Sequence, residues 1–247
     1  MSPTSSFLHL IQAAAPGEAE PPAAEVWERL ETELRAGLSV YWDAAGQVLE
    51  GSGIRLAPPG EDYTSLSRNF FSALFLYAYW RAELPAPRRT FYVAANQCLR
   101  GMVTGCDNLL DDEYKATLET DLPAGGTRFR SVLDIMVSDR VLFHLLTRLS
   151  EEGHIGLEAV GRAAAASLVA LAPSGAQEAG EQQGIDRRLP PAAVLQQVHH
   201  FKTALLFQCT WAIPEVLGDG EHPVVRGLKA ALYDIGMGCQ VLDDMVD

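Results

Sequence analysis

Basic residues are scarce in this chain: 19 Lys and Arg stand against 32 Asp and Glu, for a formal net charge of −13. Nucleic-acid backbones are held by clustered Lys and Arg, so this balance argues against a nucleic-acid partner. An acidic chain that handles phosphate needs divalent cations to bring the anion in. The first basic residue is Arg29, which leaves the N-terminus without the charged start of a secretory signal or the arginines of a transit peptide. Cysteine is sparse too. Cys98, Cys106, Cys209 and Cys239 form no CxxC pair and read as core thiols of a reducing compartment, so a cytoplasmic protein is expected. No apolar run reaches the roughly 20 residues that span a bilayer. The longest lie at 70–80 and 163–172, and an integral membrane protein is not expected. Period-two alternation is missing throughout, and no repeat stands out beyond two acidic clusters.

What is present suits one large globular domain: 247 residues, 48% hydrophobic and 21% charged. Residues 1–24, rich in Pro, Ala and Glu, read as a flexible tail before a single domain over 25–247. Val26, Leu30, Leu34 and Leu38 recur at four-residue steps and predict an amphipathic helix over 25–38. Gly- and Pro-rich residues 51–62 predict a loop, and the apolar, aromatic stretch 69–83 a buried helix stopped by Pro85 and Pro87. Residues 88–115 form the longest helical candidate, with Phe91, Ala95, Cys98, Met102 and Cys106 on one face. Helices are also predicted over 130–149, 157–171, from Pro191 towards Pro214, and over 224–247, with 173–190 as a linker able to act as a flap. The fold class is all-α, a helical bundle.

The two acidic clusters close two of these helices. Asp107 and Asp111 lie one helical turn apart on one face, and so do Asp243 and Asp247. Asp112, Glu113 and Asp244 point about 100° away per residue step and flank those pairs. Like charges one turn apart destabilise a helix by a few tenths of a kcal/mol, and a bound cation reverses that cost. Hard oxygen donors with no accompanying His or Cys point to Mg²⁺ bridging carboxylates to a phosphate ester.

The segment Gln240-x-x-Asp243-Asp244-x-x-Asp247 resembles the second aspartate-rich motif of the trans-isoprenyl diphosphate synthases, within the polyprenyl synthetase superfamily, and Lys202-Thr203 resembles that family's Lys-Thr pair. Asp107-Asn108-x-x-Asp111 is similar to the first aspartate-rich motif, with Asn in the place of its second Asp. Ser138-Asp139-Arg140 resembles a Gly-Asp-containing helix segment of the same family. The landmarks run in the family's order from about residue 65 to 247.

The resemblance implies a class I isoprenoid-synthase bundle, here short of its C-terminal helices, that ionises an allylic prenyl diphosphate with three Mg²⁺ ions. It implies that Asp107, Asp111, Asp243 and Asp247 bind metal and that Lys202, Thr203, Gln240, Arg100 and Arg128 meet the diphosphate. Met102, Val103, Phe71 and Phe75 would wall the cavity, and the family implies a homodimer. The family's arginine-rich acceptor motifs are not intact, since only Arg55 remains of one and no Arg pair follows Asp111. The expected activity is therefore a terpene cyclase, with a chain-elongating prenyltransferase or a non-catalytic partner subunit as alternatives.

Overall fold

The computed structural model describes residues 23–60, 62–182 and 189–246. The expected tail thus falls, except for its last two residues, outside the described part of the chain. Helix α1 (Ala23–Val48) buries Val26, Leu30, Leu34 and Leu38 as their spacing predicts, then runs ten residues further because Tyr41, Ala44 and Ala45 prolong the same apolar face. Helix α2 (Phe70–Arg81) is apolar on nearly every side and buries Ala73, Leu76, Ala78 and Tyr79. Helix α3 (Ala86–Leu110) begins with Pro87 in its first turn, where the missing N–H costs nothing. It packs against α1, α2 and α4 (Thr127–Glu151) and so forms the centre of the bundle. Its junction with α4 depends on small residues. A Cβ on Gly101 would lie 2.1 Å from the Ser138 hydroxyl, and one on Gly105 would lie 2.8 Å from the Ser131 carbonyl.

The expected helix over 88–115 stops at Leu110. Asp111 caps it and Asp112 turns the chain out at φ 55°, a left-handed helix end. Four carboxylates at the negative pole of a helix dipole oppose any further turn. Helix α5 (Leu157–Gln182) overturns the first part of the linker expected over 173–190, since it continues through Pro173; residues 183–188 of that expected linker lie outside the described residues. Proline removes one ladder hydrogen bond and disturbs the carbonyls a turn earlier; the Cys209 thiol donates to the Ala170 carbonyl at 3.2 Å in that turn. Extended in this way, Leu157–Glu181 is long and apolar enough to cross a membrane by length and composition. It also lines the bundle, burying Ala159, Val160, Ala163, Ser167 and Ser174 along one side.

Pro191 opens a short helix, α6 (Pro191–Val194), which widens into a π-helical segment (Leu195–Ala204) and narrows again into α7 (Leu205–Cys209). After α8 (Ala212–Val216), helix α9 (Val225–Val246) lies along the π-helical segment and α7. Among the described residues there is no strand, only an isolated antiparallel bridge between Leu56 and Thr120 that pins the Gly/Pro-rich loop to the loop after α3. The fold class is all-α, as expected.

Candidate functional site

The last turn of α3 carries Asp107, and Asp111 is its cap, so the two carboxylates stand one turn apart at the helix end as their spacing requires. Asp107 is exposed at the helix end, yet its surroundings bury it in part. This burial, followed by the negative charges of Asp111 and Glu178, raises its carboxyl to about 6, while Lys115 and Lys202 pull the other way. Asp112 and Glu113 are already engaged with Arg128 at 3.3 Å and Lys115 at 3.0 Å. Asn108 is buried and explains its own identity: its amide donates to the Lys115 carbonyl at 3.1 Å and its oxygen accepts the Lys115 N–H at 2.8 Å. A carboxylate could accept there but not donate, so the side chain in the place of the motif's second Asp holds the turn after α3.

Lys202 rises from the π-helical segment, a geometry that recurs at functional sites. Its ammonium group lies 3.0 Å from Glu181 and 3.4 Å from Glu178, both on the part of α5 beyond Pro173. Those two glutamates hold it protonated against the opposing effect of its burial. The positive charge of Lys202 also acts, as the smallest of several influences, on Asp107 at the end of α3 and on Asp244 near the end of α9.

The second acidic end is built differently. Asp243 is exposed and has no hydrogen-bond or ion-pair partner among the described residues, whereas Asp244 accepts from Gln240 at 2.9 Å and meets His199 Nε2 at 2.7 Å. Gln240 in turn accepts the Thr203 hydroxyl at 2.5 Å. The hydrogen bonds from Gln240 and His199 depress the Asp244 carboxyl below its ordinary range. Asp247 lies outside the described residues.

A cavity of about 260 Å³ lies below the first acidic end, with Phe71, Phe75, Val103 and Phe207 among its walls. Phe207 meets Phe71 and Phe75 edge-on at 5.1 and 5.4 Å. Met102 does not line this cavity; it packs against the main core instead. Arg100 lines it, donates to Asn69 Oδ1 at 2.9 Å and is pushed below its usual range by burial. Among Arg55, Arg68, Arg100, Arg128 and Arg130 it alone lacks a carboxylate partner in the described residues; the others pair with Asp121, Asp62, Asp112 and Glu119.

The structure places Asp107 and Asp111 together at the end of α3, ties Asp244 to the helix that bears Lys202, and puts Phe71, Phe75, Val103 and Arg100 around one cavity. Arg128 stays at the surface with Asp112, and Thr203 and Gln240 bind one another. Sequence reasoning missed Glu178 and Glu181, whose i, i+3 spacing was visible but lay in a segment read as linker. It also missed His199, which is buried and whose spacing of four from Thr203 puts both on one helical face. The all-oxygen donor set and the excess of carboxylates over cations around Asp107 suit Mg²⁺ chemically. Among the described residues, however, no three His, Cys, Asp or Glu side chains form a ready-made group for an ion.

No family model and no curated protein matches the sequence. Solved structures do. A polyprenyl synthetase from Streptomyces coelicolor A3(2) superposes with a TM-score of 0.56 and 18% identity, over 90% of this chain and 66% of its own. A geranylgeranyl pyrophosphate synthetase from the archaeon Geoglobus acetivorans gives a TM-score of 0.50 and 18% identity, over 91% of this chain and 68% of its own. The chain thus spans about two thirds of the length of these proteins. The chain has the all-helical fold of these polyprenyl synthetase structures.

Proposed function

We propose that this protein activates an allylic prenyl diphosphate with Mg²⁺ and transfers the prenyl group to an acceptor, as a chain-elongating prenyltransferase. The observation that carries this reading is two acidic helix ends, the second tied through His199 and Thr203 to the segment that bears Lys202, together with an apolar cavity, in a fold whose solved examples are named as synthetases. Asp107, Asp111, Asp243 and Asp247 would hold the ions, with phosphate oxygens completing the coordination. Bound Mg²⁺ supplies positive charge that offsets the charge growing on the departing diphosphate. Lys202 adds a cation of its own, and to reach the diphosphate it exchanges its glutamate partners for phosphate oxygens. The phenyl and aliphatic walls of the cavity keep water from an electron-poor prenyl carbon, and Arg100, a half-buried guanidinium with no carboxylate partner, suits an anionic group of substrate. We also infer a cytoplasmic homodimer; the exposed apolar stripe of Phe129, Val132, Met136 and Phe143 on α4 supports self-association.

Incubation with Mg²⁺ and geranyl, farnesyl or geranylgeranyl diphosphate should yield a longer prenyl diphosphate only when isopentenyl diphosphate is also present. The carboxylate pairing of four of the five candidate arginines favours cyclisation as a second reading, because it leaves few cations for a second diphosphate. A hydrocarbon or alcohol made from the allylic substrate alone would establish that reading instead. Release of no diphosphate under any condition would sink both and leave a binding subunit.

A further inference from the structure

His199 is buried, with its side chain 6% exposed, and its Nε2 stands 2.7 Å from Asp244 Oδ2. An ionised carboxylate only accepts, so Nε2 carries the proton in this pair. The other ring nitrogen, Nδ1, is buried with no partner among the described residues. An imidazole serving only as packing would be a poor choice here, since an apolar side chain of similar volume avoids the cost of that orphaned nitrogen. What His199 supplies is the Nε2–H. Asp244 is held on its other oxygen by Gln240, whose carbonyl accepts from Thr203, so donors from two residues of the π-helical segment reach the end of α9 along one continuous network. Close approach makes this possible: a Cβ on Gly236 would stand 3.0 Å from Ala204 Cα and 3.1 Å from the Thr203 carbonyl.

We propose that His199 is a positioning residue: with Thr203 and Gln240 it clamps Asp244, and hence the turn of α9 that carries Asp243, to the helix bearing Lys202. Thr203 and Gln240 then serve the site through each other rather than by touching diphosphate. Fixing Asp244 fixes the backbone from which its neighbour Asp243 projects about 100° away. The inference rests on the diphosphate reading above and adds to it how the second acidic end is aimed.

The test is calorimetric titration of the whole protein with inorganic pyrophosphate in the presence of Mg²⁺, with the melting temperature recorded for each variant. His199→Ala should weaken binding at least about tenfold, the usual cost of removing a partner that orients a ligating group. His199→Gln, which can again present an N–H near the Nε2 position, should restore most of it. The loss in the His199→Ala/Asp244→Asn double variant should be smaller than the product of the two single losses, because both act on one network. Wild-type affinity in His199→Ala, a His199→Gln as weak as His199→Ala, or losses that multiply would each overturn the clamp while leaving the proposed function standing. Should His199→Ala fail to fold, the outcome for His199→Gln against Asp244→Asn decides in its place: affinity kept in the first and lost in the second supports the clamp, and any other result overturns it. Failure of the wild-type protein to bind magnesium pyrophosphate would overturn the diphosphate reading and this inference together.

Discussion

The two acidic helix ends look alike in sequence and are opposite in construction. At the end of α3 the carboxylates are crowded: Asp107 is raised to about 6 by burial, by Asp111 and by Glu178, and no side chain among the described residues donates a hydrogen bond to it. At the end of α9, Asp243 faces solvent while Asp244 is lowered by donors from Gln240 and His199. The first end therefore bears a cost of burial and repulsion that an incoming cation relieves, whereas at the second Asp244 is already satisfied by hydrogen bonds. Their backing differs as well. Gly101 and Gly105 press the first end against α4, whereas a single glycine, Gly236, brings the second against the π-helical segment.

The largest effect should come from the carboxylates themselves. Asp107→Asn is expected to lower kcat by about 10³-fold, since metal-borne charge stabilisation is worth several kcal/mol. Asp243→Asn should cost more than Asp244→Asn, for which about 10- to 100-fold is expected of a group acting by orientation. Steady-state kinetics at saturating Mg²⁺ measure all three, and a greater loss in Asp244→Asn than in Asp243→Asn would break the contrast drawn at α9.

Next in size is the packing behind each end. Gly105→Ala puts a Cβ 2.7 Å from Ile135 Cγ1 and 2.8 Å from the Ser131 carbonyl, and a backbone oxygen cannot rotate away. A net loss of about 1–2 kcal/mol is expected in denaturant unfolding, overpacking outweighing the better helix propensity of alanine. Gly236→Ala meets its neighbours at 3.0–3.2 Å, so small shifts accommodate it. There the propensity gain of about 1 kcal/mol should nearly cancel the strain, and equal losses at the two sites would erase the difference in backing.

The smallest effect is the pH dependence. A carboxyl raised in the folded state binds its proton more tightly there than in the unfolded chain, so Asp107 contributes stability that is fully present below its ordinary range near 4 and is lost as pH rises through about 6. Asp134, buried beneath Thr117 and also raised to about 6 by burial, acts in the same direction. Asp244, being lowered, contributes stability that is lost only as pH falls below the ordinary carboxylate range. Thermal melts between pH 4 and 7 should therefore show a decline that is shallower in Asp107→Asn and shallower again in the variant that also carries Asp134→Asn. A steeper decline in either would reverse the assignment.

Much of this architecture was legible in the sequence because it depends on local spacing. The four-residue steps of α1, the apolar α2, the pairing of Asp107 with Asp111 and the proline that opens α6 are consequences of helical geometry and need no partner to define them. Pro173 was misleading for a physical reason: propensity counts the lost hydrogen bond, whereas α5 continues because α8, α7 and the π-helical segment pack along it and Cys209 donates to a neighbouring carbonyl. That error hid Glu178 and Glu181, the partners of Lys202. The π-helical widening, the burial of His199 and the choice of Asp244 over Asp243 as the tethered carboxylate were likewise invisible, since each is a contact between segments far apart in the chain.

The sequence by itself determined an all-helical chain, the two acidic turns, and a deficit of positive charge that makes a cation necessary wherever those turns meet phosphate. Only the tertiary structure decided that Lys202 would pair with Glu178 and Glu181, that Asn108 would hold a turn, and that the two ends would differ in tethering. The reason is that periodicity sets which residues share a face, while desolvation and hydrogen bonding depend on what the fold brings against that face.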